Sequence, residues 1–194
     1  MITSKQQLNE FLLQDAKANY RTLGKVNHQM DLTWKFIKCL RLLNYYHFKF
    51  KKEKKYRYAL PFLFHRHWYH KYGPILGFNI SYMTEIGKGL SIPHYGTIVI
   101  NGTAVIGENC KIHTGVNIGA TNGEKKAARI GNNVYIGPGA KIVGNISIAD
   151  DVAIGAGAVV VKSIEEAGTT WGGVPAKKIS DSDSHCHLCK ALWN

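Results

Sequence analysis

Histidine is the side chain best suited to proton transfer at neutral pH, and two of the nine histidines, His94 and His113, lie in the middle of the chain. A free imidazole has a pKa of about 6.5, so its neutral form can take a proton from an attacking hydroxyl group. His94 lies between Pro93 and Gly96, at a position where the surrounding repeat favours a small residue. We therefore predict that His94 is a general base, and a structural histidine with satisfied hydrogen bonds is the alternative. His113 is interpreted as a stacked structural residue at least as readily as a catalytic one.

Both histidines lie within a six-residue repeat that runs from residue 79 to residue 162. Aliphatic residues recur at every sixth position, with one offset of two residues between Ile98 and Ile106 and one double step across residues 120–129. This period fits neither an α-helix nor a simple alternating strand. Glycine often follows the aliphatic residue, where a tight corner needs a small side chain. The sequence therefore predicts a mainly β fold, a β-helix whose inward ladder consists of Ile80, Ile86, Ile92, Ile98, Ile106, Ile112, Ile118, Ile130, Ile136, Ile142, Ile148, Ile154 and Val160.

The double step in the repeat corresponds to a polar loop. Its residues include Asn122 and Gly123, which favour a turn, together with several basic side chains. Because the core of the β-helix does not need these residues, we expect the loop to leave the coil and to contact a substrate or cofactor.

Residues 1–74 are predicted to form a helical cap in front of the β-helix. Apolar residues fall on one helical face within residues 1–30 and again within residues 31–56. Asp31 is assigned as the residue that caps the second of these helices. Pro61 is expected to interrupt the segment that follows, and the glycine and proline at 73–74 mark the expected boundary.

The cap carries most of the positive charge of the chain. The formal net charge is +12, and between Lys35 and Lys71 eleven Lys and Arg residues stand against Glu53 alone. We expect this basic and aromatic region to pack on the first coils. Contact with anionic lipid head groups, or with an anionic lipid-linked substrate, is the alternative. Nucleic acid is not an expected partner, because no recognition motif accompanies the charge.

Composition also indicates where the protein is located and whether it contains disulfides or a metal site. No apolar run approaches the ~20 residues that span a bilayer, and the polar first residues lack the apolar middle of a signal peptide, so we expect a cytoplasmic protein. The four cysteines are too few and too scattered for a disulfide framework. Residues 181–194 are expected to be a polar tail that is mobile until its last apolar residues. The tail contains His-Cys-His-Leu-Cys, which zinc could use, but no second paired cluster accompanies it and no metal is expected.

Three motifs carry a resemblance to a known family. The segments IPHYGTIVINGTAVIGENCKIHTGVNIGATNG, IGNNVYIGPGAKIVGNISIADDVAIGAGAVVVKSI and WGGVPAKKI resemble those of hexapeptide-repeat acyltransferases of the left-handed β-helix superfamily. The resemblance covers roughly residues 75–180 and is closest to the serine acetyltransferase branch, in particular to its capsular and colanic-acid polysaccharide O-acetyltransferases. It implies a left-handed parallel β-helix over residues 75–180, an extended tail over 181–194, a homotrimer, and an acyl-CoA-dependent O-acetyltransferase activity.

The resemblance also implies the roles of individual residues. His94 takes the catalytic position, and Asn79 stands where an aspartate orients the imidazole. Acetyl-CoA, the acyl donor, would lie in a groove between adjacent subunits, and Pro138 alters that groove because it has no N–H group to donate. The implied cofactor-binding residues are Gly119, Ala120, Thr121, Pro138, Ala156, Lys177 and Lys178, and the implied substrate-binding residues are Pro93, Tyr95 and Lys126.

Departures from the serine enzymes shape the expected acceptor. Pro93 replaces an acidic residue, Asn79 replaces the aspartate, and the loop offers Lys126 and Ala127 in place of an Arg-His pair. An amino-acid acceptor needs an acidic group for its ammonium, and none is found at these positions. We therefore expect a glycan acceptor, a sugar hydroxyl in surface-polysaccharide biosynthesis at the inner face of the membrane. A divergent serine O-acetyltransferase of cysteine biosynthesis and a non-catalytic β-helix scaffold are the alternatives.

Overall fold

The computed structural model describes residues 1–21, 31–121, 123 and 125–193. The helices are α1 (Lys5–Ala18), α2 (Leu32–His47) and α3 (Ala59–Leu76), with short helical turns at Phe48–Lys52, Tyr56–Tyr58, His185–His187 and Lys190–Leu192. The strands are β1 (Phe78–Ile80), β2 (Glu85–Ile86), β3 (Ile98–Ile100), β4 (Val105–Ile106), β5 (Lys111–Ile112), β6 (Asn117–Gly119), β7 (Arg129–Ile130), β8 (Tyr135–Ile136), β9 (Lys141–Val143), β10 (Ser147–Ile148), β11 (Ala153–Ile154), β12 (Val159–Val160), β13 (Thr170–Gly172) and β14 (Lys177–Ser180).

The strands form the three faces of a β-helix. Face A has the strand order β1-β3-β6-β9-β12, face B has β10-β7-β4-β2, and face C has β14-β13-β11-β8-β5. Neighbouring strands are parallel, apart from the antiparallel pair of β13 and β14 at the end of face C. The prediction of a mainly β fold built as a parallel β-helix with N-terminal helices is confirmed.

The aliphatic ladder fills the inside of the β-helix. Every repeating aliphatic residue of the predicted ladder is buried. In face A, for example, Ile118 stands opposite Ile142, and Ile142 stands opposite Val160. Burial of these stacked side chains removes apolar surface from water in each coil, which is the main favourable contribution to folding.

The two-residue offset in the repeat lies one step earlier than predicted. Ile100, rather than Ile98, takes the ladder position opposite Ile118, although both side chains are buried. The extra residues therefore lie between Ile92 and Ile100. They belong to the turn that carries His94, so the repeat is interrupted at that histidine itself.

The double step leaves the coil as a loop and returns to it before β7. Thr121, Lys125 and Lys126 are exposed, whereas Ala127 and Ala128 are fully buried. The N–H group of Ala127 donates a hydrogen bond to the hydroxyl of Thr103 at 2.9 Å. The double step covers residues 120–129, but Ala127 and Ala128 already belong to the buried coil. Asn122 lies outside the described residues.

A buried ion pair attaches the helical cap to the first coil. Arg41 of α2 lies 2.7 Å from Asp15 of α1, and both side chains are almost fully buried. Arg41 also donates to the carbonyls of Ile86 and Gly87 at 2.7 and 2.6 Å, and Asp15 accepts the N–H of Leu90 at 2.9 Å. A buried charge pair is costly to break, so these hydrogen bonds determine how the cap sits on the β-helix.

The boundaries of the cap helices differ from the predicted ones. Helix α2 ends at His47, earlier than predicted, and the chain continues as a π-helical turn. Pro61 does not interrupt a helix: it lies in the first turn of α3, where its missing N–H would have no partner within the helix. Gly77, with a φ of 76°, ends α3 a few residues beyond the expected boundary. Residues 22–30 of the first predicted helix lie outside the described residues, and no described helix is long and apolar enough to cross a lipid bilayer.

The C-terminal tail packs on the β-helix from Ser184 onward, whereas only its last apolar residues were predicted to be held in place. Leu188 and Cys189 are buried, and the hydroxyl of Ser184 donates to the carbonyl of Asn133. These few apolar residues return the chain to face C. The tail was misjudged because its composition is mostly polar.

Close contact between coils predicts which glycines cannot be replaced. A Cβ atom on Gly107 would lie 2.5 Å from the carbonyl oxygen of Gly131, whereas a Cβ on Gly102 would lie 3.6 Å from its nearest neighbour. Gly107→Ala is expected to destabilise the protein by about 1–3 kcal/mol through overpacking. Gly102→Ala is the matched control and should unfold close to the wild-type temperature. Thermal unfolding by circular dichroism checks both, and equal melting temperatures would contradict the close packing of the coils.

Candidate functional site

His94 lies on an outward turn formed by the extra residues of the repeat, and it is exposed. Gly96 in the same turn has a φ of 133°, and a Cβ atom there would lie 2.0 Å from Oγ1 of Thr114. Only glycine therefore lets the turn pack against the next coil. The N–H of Gly96 also donates to the carbonyl of Leu76 at 2.9 Å. The turn holds the His94 imidazole where a substrate can reach it.

The imidazole of His94 begins a row of rings along face C. The ring centroids of His94 and His113 are 6.1 Å apart, those of His113 and Tyr135 are 5.3 Å apart, and those of Tyr135 and His187 are 4.4 Å apart. Burial lowers the pKa of His113, and the nearby charges of Lys111, His94 and His187 lower it further. A lowered pKa favours a neutral ring at pH 7, which suits a stacked structural residue and a proton acceptor alike.

Two predicted cofactor-binding residues share one edge with His94. His94, Thr114, Pro138 and Ala156 occupy successive corners between faces C and A, which we call the histidine edge. The N–H of the residue after Pro138 donates to the carbonyl of Thr114 at 2.9 Å, and the N–H of the residue after Ala156 donates to the carbonyl of Pro138 at 2.9 Å. Pro138 and Ala156 are both exposed, so the edge presents them in line with the histidine turn, on the second and third coils beyond it.

The other predicted cofactor-binding residues of the coil lie at a different edge. Gly119, Ala120 and Thr121 stand where face A turns towards face B, and the carbonyl of Gly119 accepts the N–H of Gly144 at 2.9 Å. The loop that carries Lys126 leaves from this corner, which we call the loop edge. Within a single chain, the residues predicted to bind one cofactor are therefore divided between two edges.

The predicted neighbours of His94 occupy different surroundings. Tyr95 is 76% exposed and Pro93 is half-buried, on either side of the histidine. Asn79 lies in β1 opposite Val99, and no hydrogen bond joins its side chain to His94 among the residues that the structure describes. The orienting role of Asn79 stays a prediction.

Lys177 and Lys178 border a cleft of about 480 Å³ near the C-terminal end of the β-helix. Lys162 supplies a third cation to the same cleft. Lys178 lies 2.7 Å from Glu166 and 2.5 Å from Asp181, and its hydrogen bonds to Asp181 and Glu166 raise its pKa. Because Lys178 already pairs with two carboxylates, Lys177 is the better candidate to meet a phosphate group.

A second cavity, of about 280 Å³, lies beside Pro93 between the cap and the first coils. Among the described residues, its charged lining consists of Arg21, Asp31 and Lys111. Arg21 and Asp31 form an ion pair, and Asp31 also accepts the backbone N–H of Trp34 at 3.1 Å as the cap of α2. Sequence reasoning found the capping role of Asp31 and missed its place beside the histidine turn, because no local pattern reports how α2 docks on the coils.

The histidines of the tail do not converge on a metal site. In the described part of the chain, no group of three or more His, Cys, Asp or Glu residues is arranged to hold a metal ion. His185 lies 2.8 Å from Asp151, whereas His187 stacks on Tyr135. The two imidazoles are therefore held by different neighbours.

Comparison with known sequences places this chain among acetyltransferase relatives. Residues 127–162 match the family described as Bacterial transferase hexapeptide (six repeats). The serine acetyltransferase of Helicobacter pylori (strain J99) is 42% identical over 109 residues, which are 55% of this chain and 63% of the relative. That of Synechococcus elongatus is 37% identical over 107 residues, which are 54% of this chain and 43% of the relative. The chain thus spans less than two thirds of the length of these curated relatives.

Solved structures give the same comparison over more of the chain. The serine acetyltransferase of Neisseria gonorrhoeae in complex with serine has a TM-score of 0.68 and 29% identity, covering 91% of this chain and 71% of that chain. The serine acetyltransferase of Brucella abortus strain S19 in complex with coenzyme A has a TM-score of 0.71 and 28% identity, covering 92% of this chain and 70% of that chain.

These similarities overturn the expected sugar acceptor. The relatives at 37–44% identity and the structural neighbours are serine acetyltransferases, and the polysaccharide O-acetyltransferase branch finds no support. The prediction of a glycan acceptor in polysaccharide biosynthesis was therefore wrong, and the alternative of a serine O-acetyltransferase is favoured. The prediction sought an acidic group only at Pro93, Asn79 and the loop, whereas the cap places Asp31 beside Pro93.

Proposed function

We propose that this protein is an acetyl-CoA-dependent O-acetyltransferase whose acceptor is the hydroxyl group of serine. The hexapeptide repeat at residues 127–162 and the serine acetyltransferases among its relatives and structural neighbours support this activity. The coenzyme A complex of a structural neighbour supports acetyl-CoA as the acyl donor. Activity and substrate are proposals here, because the chain spans only part of the length of its relatives.

The observation that carries the serine acceptor is the charged cavity beside Pro93. An amino acid presents a carboxylate and an ammonium group, and the cavity offers Arg21 and Lys111 for the first and Asp31 for the second. Charge-assisted hydrogen bonds of this kind are the strong ones in proteins. A volume of about 280 Å³ suits a small amino acid, since sites for drug-sized ligands run to roughly 300–1,000 Å³.

The Arg21–Asp31 pair has the charges and the partial burial that would suit such a ligand. Their side chains are 33% and 14% exposed, so they are partly removed from water and their interactions are strengthened. Bound serine would exchange this pair for two new ones, between its ammonium and Asp31 and between its carboxylate and Arg21 or Lys111. A neutral sugar would offer no charge for that exchange.

His94, which directly follows Pro93 of the cavity lining, would then act as the general base. Its imidazole takes the proton of the serine hydroxyl as the oxygen attacks the carbonyl carbon of the thioester. The bond between that carbon and sulfur breaks, and the proton passes from His94 to the departing thiolate, so the products are O-acetylserine and coenzyme A. Backbone N–H groups at Gly119 and Ala120 are the candidates to stabilise the oxyanion.

A homotrimer would complete this site. If the histidine edge of one chain faced the loop edge of the next, Gly119, Ala120 and Thr121 would join Pro138 and Ala156 around one acyl donor. The division of these residues between two edges of a single chain supports that arrangement. The trimer stays a proposal, as does a cytoplasmic location.

Loss of the base gives the first test of this function. His94→Ala is expected to lower serine-dependent release of coenzyme A from acetyl-CoA by about 10²–10⁴-fold, because general base catalysis is lost. A thiol-reactive dye measures the release. His70→Ala, which removes another exposed histidine, on α3, is the matched control and should keep the wild-type rate. Full activity in His94→Ala would contradict the role of His94. If serine does not stimulate the release of coenzyme A by the wild-type protein, serine is not the acceptor.

The charged cavity gives the second test. Asp31→Asn keeps a good helix-capping residue but removes the charge, and Arg21→Gln removes the opposite charge. Each change is expected to raise the KM for serine by about tenfold or more, because a hydrogen bond to a charged group is lost. The KM for acetyl-CoA and kcat should change far less. Glu165→Gln, at an exposed position late in the β-helix, is the control. An unchanged KM for serine in both cavity variants would show that the acceptor binds elsewhere.

A further inference from the structure

Helix α3 presents an apolar stripe that the rest of the described chain does not cover. Its inner side buries Phe62 and Tyr69. Four large apolar residues on the other side are 52–80% exposed: Leu60, Leu63, Phe64 and Ile75. Leu60, Leu63 and Phe64 are three and four residues apart and form a continuous apolar stripe in the first half of α3. Ile75 lies on the same side of the helix, separated from them by Lys71. Exposed apolar groups that form one stripe mark a contact surface, whereas scattered ones need no explanation.

A basic rim surrounds this stripe. Between residues 47 and 84 the one acidic residue is Glu53, which pairs with Lys49 and Lys55. The Nζ atom of Lys51 lies 4.6 Å from the ring centre of Phe50, and the Nζ atom of Lys71 lies 4.9 Å from the ring centre of Trp68. Aromatic rings thus support cations beside the stripe. The exposed cations of the rim are Lys51, Lys52, Arg66 and Lys71.

The rim continues into a cleft of about 520 Å³ at the side of α3. Lys51, Lys52 and Arg66 all line this cleft, together with His47. Burial lowers the pKa of His47, and the charges of Lys52 and Lys51 lower it further. Cations gathered around a concave space raise the local positive potential, which a bound anionic group would relieve.

We propose that the α3 outer surface, formed by this stripe and this rim, binds a lipid bilayer that contains anionic phospholipids. The apolar side chains enter the head-group region, and the cations contact phosphates, one of them within the cleft. Stable attachment to a bilayer takes two signals, and the surface supplies both an apolar and an electrostatic one. The inference is independent of the proposed serine chemistry, because none of these residues belongs to the acyl-transfer site.

A two-fold contact with a second copy of the chain fits this surface less well. A two-fold contact sets the same patch of each copy against the other. The rim of one copy would then face the identical cations of its partner, and like charges across an interface are unfavourable. An anionic bilayer takes up the same apolar side chains and also pairs the cations with phosphates.

Co-sedimentation of the full chain with vesicles tests this proposal. One set of vesicles contains phosphatidylcholine alone, and the other contains phosphatidylcholine mixed with phosphatidylglycerol. We expect binding to the mixed vesicles only, decreasing as salt is added. Lys51→Gln combined with Lys52→Gln should weaken binding by about fivefold for each charge removed. Leu60→Ser combined with Phe64→Ser should weaken it by removing the apolar contribution.

Matched controls separate this contact from a general effect of charge. Lys5→Gln combined with Lys190→Gln removes two exposed charges from other parts of the chain and should leave vesicle binding unchanged. All of these variants should keep the wild-type rate of acetyl transfer, which reports that they fold. The proposal is overturned if the wild type does not bind the mixed vesicles, or if the control pair loses as much binding as the rim pair. It is also overturned if Leu60→Ser with Phe64→Ser leaves vesicle binding intact but lowers the mass measured by light scattering, since the stripe then joins copies of the chain.

Discussion

Stacking of aliphatic side chains from one coil onto the next is the interaction on which this structure depends. A single coil has no core of its own, so each coil needs its neighbours to bury Ile118, Ile142 and their counterparts. The same stacking presses corner backbones together, as at Gly107 and Gly131, and leaves no room for additional atoms there. Extra residues can be accommodated only where the chain turns outward. The histidine turn and the polar loop are the two interruptions of the repeat that do so, and both carry predicted site residues.

The sequence predicts those parts of the molecule that the ladder controls. Inward stacking imposes a regular spacing, so the β-helix, His94 and the loop can all be found from the period and its interruptions. The sequence does not show which of Ile98 and Ile100 takes the ladder position, because both are aliphatic and both become buried. The packing of the polar part of the tail was missed as well, since Ser184 lies in a polar run that has no period. Such contacts depend on distant parts of the chain, and no local period reports them.

The acceptor shows most clearly what a local pattern leaves out. Pro93 and Asn79 replace acidic residues near His94, and on that basis a sugar was expected. The docking of the cap brings Arg21 and Asp31 into the lining of one cavity with Pro93, which makes that cavity charged. That docking depends on the buried pair of Arg41 and Asp15 rather than on the repeat. In the proposed enzyme, the β-helix therefore supplies the base and the acyl-donor groove, and the cap supplies the charges that select an amino acid.

A crystal structure of the protein with L-serine and coenzyme A bound tests this account most directly. We expect the serine hydroxyl to lie within hydrogen-bonding distance of the His94 imidazole, about 2.6–3.2 Å. The ammonium of the same molecule should contact Asp31, and its carboxylate should contact Arg21 or Lys111. Serine bound away from this cavity, or with its hydroxyl directed away from His94, would contradict the account.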